Sequence, residues 1–363
     1  MPTPALARRT LNRTLLRRQH LLERTRDPLA AVVAHLVGVQ AQEPNWPYVG
    51  LWSRVRGFAH DLLTRRLEDG SVVRGASLRT TQHLSTAADF GWLRATVQPA
   101  ATRQARTGFG KDLPGVDLDE LAAVAARLLG DGTARTRSEL GVALAVRFPG
   151  PPNSLAWTAH FLVGMVHPVP SCVWGTWRNR GATPVALPSP TAHGSAADPA
   201  RMVRRYLAAF GPAGVKDVQV WSGLTGLRAV LGELRAELRS YRDEQGVELF
   251  DLPDAELADP DADAPVRFLP AYDNLVLSHA DRTRIVSDGD RRRVAPGLSA
   301  VLPTFLVDGL VAGTWAWDWQ QGVLTVSPFR PLAAADRTGV EGEAELLLAV
   351  LAPGGAGAEV RLG

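Results

Sequence analysis

Apolar residues recur at helical spacing in four stretches of the first third of the chain. Leu11, Leu15, Leu16, Leu21 and Leu22 fall roughly on one side of a stretch from Leu11 to Leu22, with Arg13, Arg17 and Arg18 around them. Asp27-Pro28 supplies a cap and a first-turn proline for a helix over Leu29 to Val39. A third helix is expected from Ala59 to Asp69, stopped by Gly70, and a fourth from Ala87 to Val97. Between these last two, the β-branched, alternating run Val72 to Leu84 predicts a short hairpin.

Helix, helix, helix, hairpin is the order of a winged helix, and it recurs twice. Residues 117–187 give a helix at Leu118–Leu129, one opened by Thr136-Arg137-Ser138-Glu139, and one opened by Asn153-Ser154 that reaches about Met165. A Trp-containing two-stranded segment, Val166–Leu187, closes that unit. Residues 198–252 give Pro199–Phe210, Val215–Ser222, a long helix Leu227–Tyr241 and a hairpin turning at Gln245-Gly246. The acidic, proline-bearing stretch Asp251 to Asp263 reads as a linker. From Val266 onward the pattern predicts short strands at Val266–Leu269, Leu275–Leu277, Thr283–Ser287, Ala300–Val307, Leu310–Trp317 and Val323–Pro328, with turns at Asp288-Gly289 and Asp308-Gly309. The expected fold class is α+β: winged-helix units over 1–112, 113–192 and 193–262, the last including the linker, then a β-rich domain over 263–351. The Gly/Ala-rich end, 352–363, is expected to be a flexible tail.

With 363 residues, 45% of them hydrophobic and 21% charged, the chain can bury a sizeable core. It has no run of 18 apolar residues, and Met1–Arg9 lacks the apolar centre of a secretory signal, so a soluble cytoplasmic protein is expected. Cys172 is the only cysteine, which excludes an intramolecular disulfide and cysteine-rich metal modules; the eight histidines show no HxH or HExxH pair. Neither metal nor cofactor is implied. Of the 40 basic residues all but Lys111 and Lys216 are arginine. Arginine does not deprotonate to act as an amine nucleophile, so Schiff-base chemistry is confined to those two lysines or to a trimmed Pro2 amine. The net charge is only +3, because nine acidic residues between Asp243 and Asp263 offset arginines gathered near the first helix and the C-terminal hairpin.

No Walker loop, GxSxG elbow or GxGxxG turn is present. The unusual element is Gly38-Val39-Gln40-Ala41-Gln42-Glu43-Pro44, directly after the second expected helix. On a continuous helix Gln40 and Gln42 would diverge; in an extended exit they would project to the same side. Gly38 and Pro44 favour such an exit. Glutamines at a helix end also serve as carbonyl caps, so the spacing alone leaves both roles open.

Gln40-Ala41-Gln42, followed by Pro47-Tyr48-Val49-Gly50-Leu51-Trp52-Ser53-Arg54, resembles the hallmark of the AlkZ/YcaQ family of winged-helix DNA glycosylases. The resemblance continues in Leu78-Arg79-Thr80-Thr81-Gln82-His83-Leu84. It returns in Phe268-Leu269-Pro270-Ala271-Tyr272-Asp273-Asn274 and in Ser278 through Arg284. Gln42 matches the Gln-x-Gln branch rather than the Gln-x-Asp branch, and Thr80 stands where many relatives have Gly. The resemblance implies three winged-helix units around a concave DNA-binding face. It also implies a monofunctional glycosylase that removes N7-alkylated purines, with crosslink unhooking and self-resistance to a DNA-alkylating natural product as further implications.

Gln40 and Gln42 are then the catalytic candidates, with Glu43 and His83 in support; His83 could equally be a hydrogen-bonded structural residue. Candidate DNA contacts are Arg13, Arg17, Arg18 and Arg79, together with Arg282, Arg284, Arg291, Arg292 and Arg293 around a basic hairpin. The indoles of Trp315, Trp317 and Trp319 are expected to pack in the sheet. The expected partner is double-stranded DNA containing alkylated purines, bound by a monomer with no membrane and no obligate protein partner. The competing reading is a nonenzymatic winged-helix transcriptional regulator, which would need a recognition helix and paired half-sites.

Overall fold

The computed structural model describes residues 4–175, 183–189, 196–297, 300–355 and 357–363. Pro2 and the central part of the expected Val166–Leu187 segment lie outside the described residues. The first third contains α1 (Arg8–Arg18), α2 (Leu29–His35), β1 (Val39–Gln40), α3 (Trp46–Trp52), α4 (His60–Glu68), β2 (Val72–Ala76), β3 (Gln82–Thr86) and α5 (Ala87–Gly108). The second stretch contains α6 (Leu118–Leu129), β4 (Arg135–Thr136), α7 (Arg137–Ala145), α8 (Pro152–Leu162) and β5 (Pro184–Val185). The third contains α9 (Pro199–Phe210), α10 (Val215–Ser222), α11 (Leu227–Glu233), β6 (Arg239–Arg242) and β7 (Glu248–Asp251). The order of helices closed by a hairpin is present in the first and third stretches, whereas in the second β4 precedes α7 and pairs with β5; the class is α+β.

Helix starts follow their caps. Asp117 accepts from the amides of Asp119 and Glu120, Thr136 and Glu139 form a reciprocal capping box, and Asp198 accepts from the amide of Arg201. One helix of the first unit departs from expectation. Leu15, Leu16 and Leu21 pack against Met202, Tyr206 and Phe210 of the third unit, whereas the core under β1 is closed by α2, α3 and α4. The helix α3 has no polar face, since Pro47 through Trp52 are all buried, and so it shows no amphipathic period.

The remainder contains β8 (Arg267–Leu269), α12 (Asn274–Leu277), α13 (Arg291–Val294), β9 (Thr304–Val307), β10 (Leu310–Asp318), β11 (Val323–Pro328), α14 (Ala334–Leu351) and β12 (Glu359–Leu362). The strands form one sheet in the order β12-β11-β10-β9-β8, with α14 and the α3 residues Val49 and Trp52 against it. Two expected strands are absent: Leu275–Leu277 is helical, and Thr283–Ser287 is turn. The basic hairpin is likewise replaced, because Arg291, Arg292 and Arg293 form the single turn α13. The end of the chain is no loose tail, since β12 pairs in parallel with β11. Along β10, Trp315 is buried, Trp317 partly so, and Trp319 is exposed. Among the described residues no helix is long and apolar enough to cross a membrane.

The first and second units share a seam that bears on the site. Gly75 of β2 bridges to Val166, which bridges in turn to Ala186. A Cβ on Gly75 would lie 2.6 Å from the Phe90 ring and 2.9 Å from the Met165 carbonyl, so only glycine permits this approach.

Candidate active site

The helix α2 ends at His35, and Val37, a β-branched residue, adopts φ 65°, turning the chain into β1. There Val39 and Gln40 pair with Leu84 and His83 of β3, and the Ala41 amide donates to the Gln82 carbonyl at 2.8 Å. The extended exit is thus formed, and both glutamine side chains approach the same segment. Gln40 Nε2 reaches Thr81 Oγ1 at 3.4 Å, while Gln42 Oε1 lies 3.4 Å from the Gln82 amide. They differ in exposure: Gln40 is only 6% exposed, whereas Gln42 and Glu43 are open to solvent.

Two buried arginines fix this strand. Arg79 Nη2 donates to Gln40 Oε1 at 3.0 Å and to His83 Nε2 at 3.3 Å, and its Nη1 donates to the Trp221 carbonyl at 2.6 Å. Arg74 Nε donates to the Ala41 carbonyl at 2.8 Å, and its Nη2 to the Gln42 carbonyl at 3.0 Å. Burial pulls both guanidinium pKa values down to about 10, and neither has a carboxylate hydrogen-bond partner. Arg74 escaped the sequence reading, although a cation inside the otherwise apolar run Val72-Val73-Arg74-Gly75 is a signal that could have found it.

Arg79 was expected to touch DNA; it is instead consumed in holding the Gln40 amide. It sits in a strained turn, with φ 52° at Arg79 and 61° at Thr80, closed by the Thr81 amide on the Leu78 carbonyl at 3.0 Å. This is the two-residue turn that favours Asn-Gly. Replacing Thr80 with glycine should therefore raise stability by about 0.5–1 kcal/mol, read as a higher urea midpoint; a lower midpoint would contradict the strain.

His83 is fully buried, and burial, helped by Arg79, lowers its pKa to about 3. Its Nδ1 lies 3.0 Å from the Thr81 carbonyl and must donate, which leaves Nε2 to accept from Arg79. It is a neutral positioning residue at pH 7 and offers no acid there.

The third segment closes over the other side. Arg54 pairs with Asp273 through both carboxylate oxygens at 2.9 and 2.8 Å, and Asn274 Nδ2 donates to the Gly38 carbonyl. Gln40, Val39, Arg54, Pro270, Asp273 and Asn274 line one small cavity. The stretches Gly38–Glu43, Leu78–Leu84 and Pro270–Asn274 thus converge on one strand.

Several of the expected DNA contacts have partners within the chain. Arg13 is 1% exposed and bound to Asp308, Asn12 and the Ala262 carbonyl. Arg18 makes a bidentate pair with Asp251 at 2.8 Å, and the exposed Arg17 donates to the Glu256 carbonyl at 2.8 Å. The acidic linker therefore neutralises the first helix. Arg284 is buried against the Pro212 carbonyl at 3.1 Å, and Arg293 lies over Phe329 beside Asp290. Arg291 and Arg292 are exposed and form no ion pair among the described residues, and Arg282 is half-buried with its Nε unpartnered.

A sequence model for the family described as DNA glycosylase AlkZ-like matches residues 33–350. The interstrand DNA cross-link repair glycosylase of Streptomyces sahachiroi is 26% identical over 370 residues, spanning 91% of this chain and 92% of its own. The solved structure of Streptomyces sahachiroi DNA glycosylase AlkZ shares the fold at a TM-score of 0.80 and 22% identity, covering 99% of this chain and 100% of that one. The family match takes in all three segments that meet around Gln40, and the chain belongs to the AlkZ-like family of DNA glycosylases.

Proposed function

We propose that the chain hydrolyses the N-glycosidic bond of N7-alkylated purines in double-stranded DNA, with Gln40 and Gln42 positioning the attacking water. The observation that carries this is the pair of amides at and just after β1, one locked by Arg79 and the other open to solvent. A glutamine has no useful pKa, yet its carbonyl accepts from water and its amide donates. That suffices when the leaving group is already activated. An N7-alkylguanine carries a formal positive charge and departs neutral, so it needs little acid assistance. Orientation of water at C1′ and stabilisation of the oxocarbenium-like state then supply most of the rate. The exposed carboxylate of Glu43, adjacent to Gln42, provides the negative field that such a cation favours.

A solvent-facing Gln42 does not require full extrusion of the base into a snug pocket, so bulky adducts and interstrand crosslinks are accepted as substrates. Self-resistance to a DNA-alkylating natural product follows as the biological setting. Neither a recognition helix with paired half-sites nor a regulator family supports the transcriptional reading.

A duplex crosslinked by a nitrogen mustard should yield separated strands and abasic sites on incubation with the protein. Persistence of the crosslink, with release only of small adducts, would remove crosslinks from the substrate range. The reaction stops at hydrolysis, because no lysine contacts the glutamine strand among the described residues. Borohydride should accordingly trap no protein–DNA adduct, and a trapped adduct would overturn this point.

A further inference from the structure

The arginines of this protein sort into two populations. Many are paired with carboxylates, as Arg13 with Asp308, Arg18 with Asp251 and Arg204 with Glu237, and others, such as Arg8, Arg228 and Arg292, are exposed and form no ion pair among the described residues. Around the glutamine strand the pattern reverses. Arg74, Arg79, Arg94, Arg137 and Arg282 are buried or half-buried and form no ion pair among the described residues, whereas Arg54 beside Gln40 pairs with Asp273. Buried or half-buried charge left unpaired in a protein with abundant carboxylates marks a site whose counter-anion comes from outside.

Two members of this group reach solvent, one at each side of the strand. Arg137 is the first residue of α7, where the helix dipole disfavours a cation. It makes no hydrogen bond among the described residues, and its guanidinium lies 4.1 Å above the Trp157 ring. From Trp157 contacts lead inward: its ring is 5.6 Å from His160, His160 Nε2 is 3.3 Å from Gln82 Nε2, and the Gln82 amide faces Gln42 Oε1. Along this path Arg74 Nη1, Gln82 Oε1 and His160 Nδ1 are buried without partners. Arg282 occupies the opposite flank, where its charge bears on Arg79 and its Nε is buried and unpartnered.

We infer that Arg137 and Arg282 are a two-point phosphate clamp that grips the DNA backbone on either side of the nucleotide presented to Gln40 and Gln42. The inference rests on the proposed function, since it takes the glutamine strand as the place where the lesion is held. Trp157 presents the Arg137 fork, and the buried Arg74 and Arg79 behind the two clamp residues deepen the positive potential that draws phosphate. Such contacts position the duplex without reading sequence, which suits an enzyme that searches for damage in any context.

The test uses the full-length protein and an undamaged duplex alongside one carrying N7-methylguanine. Arg137→Gln and Arg282→Gln should each weaken duplex affinity on the order of 10-fold and lower the slope of log affinity against log salt by about 1; the double variant should lower it by about 2. At sub-saturating enzyme the excision rate should fall with affinity, on the order of 10-fold for each variant. Arg65→Gln, at an exposed ion pair with Asp61, serves as the unaffected control. Unchanged affinity and slope, or weakened affinity with the slope intact, would overturn the clamp. Should a glutamine variant fail to fold, the lysine variants decide: a retained slope supports phosphate contact, and a lost slope contradicts it. A parent protein that binds with the expected slope but releases no base would sink the proposed chemistry and leave the clamp standing.

Discussion

Replacing Gln40 and Gln42 together with alanine is expected to lower base excision by at least about 1000-fold while leaving duplex affinity within about 3-fold. A preorganised polar group aimed at the reacting centre is worth roughly 100–1000-fold, and here two act on one water. The two single variants should not behave alike. Gln40 is buried, and its Oε1 is an acceptor for the buried Arg79, so Gln40→Ala strands a guanidinium N–H and costs about 1–3 kcal/mol of stability as well as activity. Gln42 is exposed and makes only one long contact, to the Gln82 amide, so Gln42→Ala should lose activity with the unfolding midpoint unchanged. Gln42→Ala is therefore the cleaner probe of the chemistry. An active double variant would show that the water is held elsewhere.

The second large effect is acid sensitivity. Burial lowers the pKa of His83 and His160 to about 3 and of His20 to about 4, and holds His167 and His279 well below the ordinary range. Unfolding returns each to about 6.5, so between the folded and unfolded values the unfolded chain binds more protons. Stability is then complete above about pH 6.5 and falls as the pH drops through the window toward 3. At pH 5 each fully buried imidazole costs about 2 kcal/mol, and several together consume most of a typical total of about 5–15 kcal/mol. Urea midpoints at pH 7.5, 6 and 5 should fall steeply. A flat profile would mean that these imidazoles are charged or hydrated in the folded protein.

What the sequence made legible depended on local signals. Leu118–Leu129, Pro199–Phe210 and Val215–Ser222 fall where their caps and periodicity put them. The extended Gln-Ala-Gln exit followed from Gly38 and Pro44 for the same reason. Elements buried on every side left no such trace, as with α3, and neither did a single helical turn such as α13, which lacks a full period. The arginines were the least legible. Their side chains read alike in sequence, yet Arg13 meets Asp308 only through the packing of the first helix against the turn between β9 and β10, and Arg18 meets Asp251 only through its packing against the end of β7. The acidic stretch is not set apart from the first helix but pairs with it, and buried or half-buried cations without ion pairs among the described residues lie around β1 to β3.

The central claim is that the amides of Gln40 and Gln42 direct water to the sugar of an N7-alkylated purine. The most direct measurement is mass-spectrometric detection of free 7-methylguanine released over time from a duplex with a single lesion, for the parent protein and Gln42→Ala. The account predicts release by the parent with one abasic site per base freed, and its loss in Gln42→Ala at unchanged DNA affinity. No release from several N7 adducts, or equal release by the variant, would contradict it.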